Sequence, residues 1–225
     1  MTTLTAPAPA RTRLPHHVVA RWAGGFALAH IVVMLGAFAI EGTASLEHGT
    51  SPAKIQSTLA GLDLNRTLLA GYGEALAFFV LVPAIVLVAR TFSRRTELGR
   101  LAAQAFVVLG TAFVASTLAI GFPPGAATLY AAHHGVGAGT LATVEDLRNY
   151  GFLLQVALSV GMVLAIGIAA LAEQHHTRWI GWGGVGVGAV GLVATPFVHN
   201  TVSMAWMIWW VGMAVVLLRE KSSQE

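Results

Sequence analysis

The chain has 225 residues, of which 56% are hydrophobic and only 10% charged, with a net charge of +3 and no cysteine. Soluble globular chains carry about a quarter charged residues, so a water-soluble domain is excluded, as are disulfides, thiolate nucleophiles and cysteine-ligated metals. The basic residues flank long apolar runs rather than forming a patch, which removes nucleic acid as a partner and makes the lipid bilayer the solvent.

Residues 1–20, with TAPAPARTRLP, are rich in Pro, Ala and Arg and read as a disordered basic cytoplasmic tail. The first apolar run, 22–40, has the roughly 20-residue length of a crossing helix and carries His30 near its middle. Its basic start and Ala37-Phe38-Ala39 imitate a cleavable signal, but the run is of full spanning length and interrupted by His30, which favours an anchored span.

The connection at 41–67 is long. In it Ser51 and Pro52 provide a cap and a first helical position, predicting a short surface helix. The second span, 68–89, contains Glu74 and Pro83. A carboxylate facing acyl chains costs about 2.5 to 3.5 kcal/mol on insertion scales, so Glu74 is expected to face protein, about 9 Å below the outer edge at 1.5 Å per residue. The third span is read at 101–122, and FPPG after it as the stop that opens a loop running to Thr140. TLATVEDLRNYG reads as an amphipathic lead-in to a fourth span at 150–172, which carries Gln155 and Ser159 one turn apart.

A fifth span, 179–198, places Gly181, Gly184, Gly188 and Gly191 on one face, the small-residue pattern that lets helix backbones approach in lipid. After a tight turn near His199 and Asn200, a sixth span at 202–218 holds Trp206, Trp209 and Trp210, whose buried indole N–H groups need partners. Residues 220–225 form a second cytoplasmic tail. The expected fold is an all-α, polytopic bundle of six transmembrane helices over residues 21–219. If the spans alternate, Arg90, Arg94, Arg95, Arg100, Arg178, Arg219 and Lys221 fall on the side of Arg11, Arg13 and Arg21, leaving Lys54, Arg66 and Arg148 opposite. This asymmetry places both termini in the cytoplasm, and the Arg-, Ala- and Gly-rich composition suits a bacterial inner membrane.

Depth counting gathers an outward-opening polar cluster around Glu74: Gln155, Ser159, Tyr72, Tyr150, His199 and Asn200, with His30 as its deepest member. Two readings of Glu74 stay open, a hydrogen-bonded tether between helices and a ligand- or proton-handling group. No cofactor or metal is expected. The histidines His48, His133, His134 and His199, near Glu41, Glu47, Asp63, Glu145 and Asp146, lack any metal-ligand spacing, and His175-His176 reads as a solvated loop. No nucleophile elbow, phosphate loop or dinucleotide fingerprint is present, which leans away from an enzyme.

RWAGGFALAH, LRNYGFLLQ and WIGWGGVGVG resemble elements of a broad set of uncharacterised bacterial six-span membrane proteins, over roughly residues 21–194. The resemblance implies fold and topology and brings no catalytic residue. The expectation for function is a structural, regulatory or partner-binding membrane component, with another membrane protein or a second copy of the chain as candidate partner. The alternatives are a small-molecule or proton-coupled carrier using Glu74 and His30, and an enzyme acting on a lipid or quinone.

Overall fold

A computed structural model describes residues 14–41, 46, 49–174 and 177–221. His48, Glu47, His175 and His176 lie outside the described residues, as do residues 1–13 of the expected tail. All regular structure among the described residues is helical: α1 (His16–Glu41), α2 (Pro52–Ala60), α3 (Leu64–Thr91), α4 (Glu97–Ser116), a π-helical turn (Thr117–Gly121), α5 (Phe122–His133), α6 (Ala138–Ala172) and α7 (Arg178–Leu218). Five helical stretches are long and apolar enough to cross a membrane: His16–Ile40, Leu64–Thr91, Glu97–His133, Ala138–Ala172 and Arg178–Leu218.

The count is five rather than six because 178–218 forms one helical element, yet α7 does not run straight. Val198 leaves helical geometry at φ −141° and ψ 45°, two residues after Pro196, which lacks the N–H needed to continue the hydrogen-bond ladder. Trp209 Nε1 donates to Ile180 O at 3.2 Å, although 29 residues of straight helix would separate them by about 43 Å. The two halves therefore fold back on each other at Val198, beside His199 and Asn200.

The FPPG segment corrects an expectation. The prolines do not open a loop; they occupy the first turn of α5, where a missing N–H removes no intrahelical bond. The π turn just before them widens the hydrogen-bond spacing and takes up the misfit. The connection that follows is only 134–137, and α6 starts at Ala138, so Tyr150 sits a dozen residues inside a helix.

Small residues decide how close the helices come. Gly181, Gly184, Gly188 and Gly191 are all buried. A Cβ at Gly188 would lie 2.5 to 2.6 Å from Leu164 of α6, and one at Gly191 would lie 2.9 Å from Val160. The glycine face thus seats α6, while Trp209 of the second half of α7 lies over Gly183 and Gly184. Two of the three tryptophans of that half find carbonyl partners, Trp209 at Ile180 and Trp210 at Ala27, 3.3 Å away on α1.

One end of the bundle collects the basic residues. Arg21 Nε donates to Glu220 O at 3.1 Å, joining the start of α1 to the end of α7. At the same end the buried carboxylate of Glu173, closing α6, accepts from Arg95 N at 3.0 and 2.8 Å and from Thr96 N at 2.9 Å. These are the orphan donors that precede α4, and a carboxylate is the strongest acceptor a side chain can offer them. The opposite end is capped by α2 and α5, where Ile55, Leu59, Ala132 and Leu141 form a second small apolar core.

Candidate functional site

Beneath that cap lies a cavity of about 460 Å³, walled by α1, α3, α4, α5, α6 and the second half of α7 and by the π turn. Most of its wall is apolar, with Phe38, Phe78, Phe113, Phe122, Phe152 and Trp206 supplying aromatic faces. Into this wall project Glu74, Glu145, Arg148, Asn149, Gln155, Ser159 and Ser203.

Four of the residues singled out from sequence keep company with the cavity in different ways. Glu74 is half-buried and lines it, as do Gln155 and Ser159. Ser159 Oγ donates to Val156 O at 2.8 Å within its own helix. His30 is fully buried but does not line the cavity. Its ring lies behind Phe78 and Trp206, with ring centroids 5.4 and 6.3 Å away.

The other candidates stand apart. Tyr72 and Tyr150 are 54% and 59% exposed. Tyr72 sits two residues before Glu74, roughly 200° around the helix, and rests against Phe122. His199 packs edge-on to Phe152 at 5.6 Å, and Asn200 is exposed; neither reaches the cavity wall. Equal depth in the membrane does not mean equal bearing around a helix axis.

The cavity also holds an ion pair that depth counting missed. Arg148 Nη1 lies 2.9 Å from both carboxylate oxygens of Glu145, a residue only 3% exposed. Thr128 of α5 donates to the same carboxylate at 2.8 Å. The Glu145–Arg148 spacing of three along α6 is the signal that would have found the pair. The guanidinium lies over Gly125, where a Cβ would approach it to 3.0 Å. The ion pair lies within α6, and the Thr128 hydrogen bond to its carboxylate ties α5 to α6 at the cavity's upper wall.

The lower end is aromatic. Phe78 meets Phe113 at 5.4 Å, Phe113 meets Trp206 at 5.9 Å, and Trp206 stacks on Trp210 at 6.0 Å. From Arg148 to Ser159 along α6 the cavity runs about 16 Å. Among the described residues no three His, Asp or Glu side chains converge as metal ligands would.

Fold and site define a polytopic α-helical membrane protein with a mostly apolar cavity between its helices. Comparison of the chain with known protein families, characterised proteins and solved structures finds no match.

Proposed function

We propose that this chain is a six-crossing protein of the bacterial inner membrane that binds a small lipophilic molecule in the cavity beneath α2 and α5. The observation that carries the reading is the cavity itself. Its 460 Å³ falls in the range of small-molecule sites, roughly 300 to 1,000 Å³, and its wall has their usual make-up, apolar with a few placed polar groups. An amphiphile dissolved in the bilayer matches such a wall better than a hydrated solute, which would lose its water to aromatic rings.

Six crossings are supported by the fold-back at Val198 and by the contact between Arg21 and Glu220, since neighbouring ends require an even number of passes. The basic end is then cytoplasmic and the cavity opens outward. Because the chain has no cysteine, single cysteines report topology cleanly. In intact cells a membrane-impermeant maleimide is expected to label His133→Cys, and to label Lys221→Cys only after permeabilisation. Labelling of both from outside would refute the arrangement.

The binding role is tested by thermal unfolding of the full chain in lipid nanodiscs with a long-chain lipophile such as decanol. Occupancy at 100 times Kd raises stability by about 2.7 kcal/mol. Ala75, buried on the cavity wall, offers the control: Ala75→Phe occupies the space and is expected to abolish the shift. A shift of equal size in that variant would mean the ligand acts elsewhere.

A carrier is the second reading, favoured by the π turn at the cavity wall. π turns in helices are frequently found at working sites, and Thr117, Leu118 and Gly121 of this turn all line the cavity. In this reading α5 moves on the turn to admit the ligand.

A further inference from the structure

Among the described residues three charged side chains line the cavity: Glu74, Glu145 and Arg148. Arg148 Nη1 meets both carboxylate oxygens of Glu145 at 2.9 Å, so that pair adds no net charge. Two carboxylates against one guanidinium leave the wall with one negative charge in excess.

The surroundings of Glu74 are aromatic. One turn before it on α3, a Cβ at Gly71 would lie 3.0 and 3.1 Å from the ring of Phe122, so the missing side chain lets that ring lie against the helix. One turn after it stands Phe78, which packs on Phe113 with centroids 5.4 Å apart. Gly71, Glu74 and Phe78 share one face of α3 at helical spacing, and all of them line the cavity together with Phe122 and Phe113. Glu74 thus meets the cavity with one aromatic ring on the turn above and another on the turn below.

A carboxylate and an aromatic face attract the same kind of partner. The ring face is the negative side of its quadrupole and draws a cation toward it, and the carboxylate does so by charge, more strongly where the wall excludes water. An anionic head would meet both with the wrong sign. A metal ion needs several converging ligands, and no three His, Asp or Glu side chains converge among the described residues. We infer that the ligand of this cavity is a lipophilic cation, an alkylammonium whose head sits beside Glu74 between Phe122 and Phe78 and whose apolar body lies along Phe113 and Trp206. The inference rests on the cavity being a lipophile site and adds the charge it selects. Arg148 does not oppose it, because Glu145 matches its charge.

The test is a matched series on the full chain in nanodiscs of zwitterionic lipid: decyltrimethylammonium, decanol and decyl sulfate, with affinities read from thermal shifts at equal concentration in the bilayer. A cation over an aromatic face gains roughly two- to thirtyfold in affinity. Decyltrimethylammonium is therefore expected to bind about tenfold tighter than decanol, and decyl sulfate more weakly than either. In Glu74→Gln the preference for the ammonium over the alcohol is expected to fall to about threefold or less. Ala75→Phe, which fills the space, is expected to abolish the ammonium shift.

Equal binding of the ammonium and the alcohol to the wild-type chain overturns the cation assignment and leaves the lipophile reading standing. It is also the result expected if Glu74 holds a proton. Tightest binding by the sulfate overturns the assignment too and turns attention to Arg148. A preference that survives intact in Glu74→Gln removes that residue from the site, and an ammonium shift that survives in Ala75→Phe puts the cation outside the cavity; either result overturns the proposal. Absence of binding by all three overturns both readings. The wild-type series decides the matter even if Glu74→Gln does not fold.

Discussion

Replacing Gly167 by valine is expected to destabilise the bundle by about 3 kcal/mol, at the upper end of the overpacking range, and to cut the yield of folded protein severely. A Cβ at this position would lie 2.7 Å from Val185 N, 2.8 Å from Gly184 C and 2.9 Å from Gly181 O. All three are backbone atoms of α7, so no rotamer change on the facing side gives way. The helices themselves would have to separate, and with them the seats of Leu164 and Val160 against Gly188 and Gly191. In lipid, where apolar surface gains nothing by leaving the solvent, this close approach is what holds α6 to α7. The comparison is Gly186→Val, where an added Cβ meets nothing within 4 Å and the effect should stay within about 0.5 kcal/mol. Unfolding titrations in mixed micelles measure both, and equal losses would mean that the α6–α7 seam does not depend on close approach at Gly167.

Arg148→Leu is expected to cost about 3 to 5 kcal/mol at neutral pH, the usual penalty for stranding one member of a buried pair. It removes the cation that meets both oxygens of Glu145 and leaves that carboxylate with Thr128 Oγ1. Because Arg148 is itself about one-third exposed, solvent screening places the cost toward the lower end of that range. The informative companion is the double variant Arg148→Leu with Glu145→Leu. Taking away both charges removes the stranded carboxylate along with its partner, so most of the lost stability should return. If the double variant were as unstable as the single one, the pair would matter through the tie to α5 and not through its charge.

Much of this architecture is legible in the residues. Apolar runs of spanning length have no soluble alternative, and the helices at 16–40, 64–91 and 138–172 cover the runs that composition marks out. The turn-back near His199 is legible too, since Pro196 cannot continue a hydrogen-bond ladder. The FPPG segment misleads because proline is both a helix breaker and a favoured first-turn residue. Only the preceding π turn, a tertiary adjustment, selects the second role. Glu74, Gln155 and Ser159 reach one cavity, as depth along the chain allows, whereas Tyr72 and Tyr150 have the depth without the bearing.

What the amino-acid order determined by itself was the solvent, the helices and their approximate heights, because hydropathy and helical rise act locally and add along the chain. Partnership was decided by the tertiary structure. Thr128 meets Glu145 from a different helix, and His30 comes to stand beside Trp206 although 176 residues separate them. Such meetings depend on the rotation and tilt of each helix, and those are set by which glycines admit a neighbouring backbone, a property of pairs of surfaces and not of any one segment.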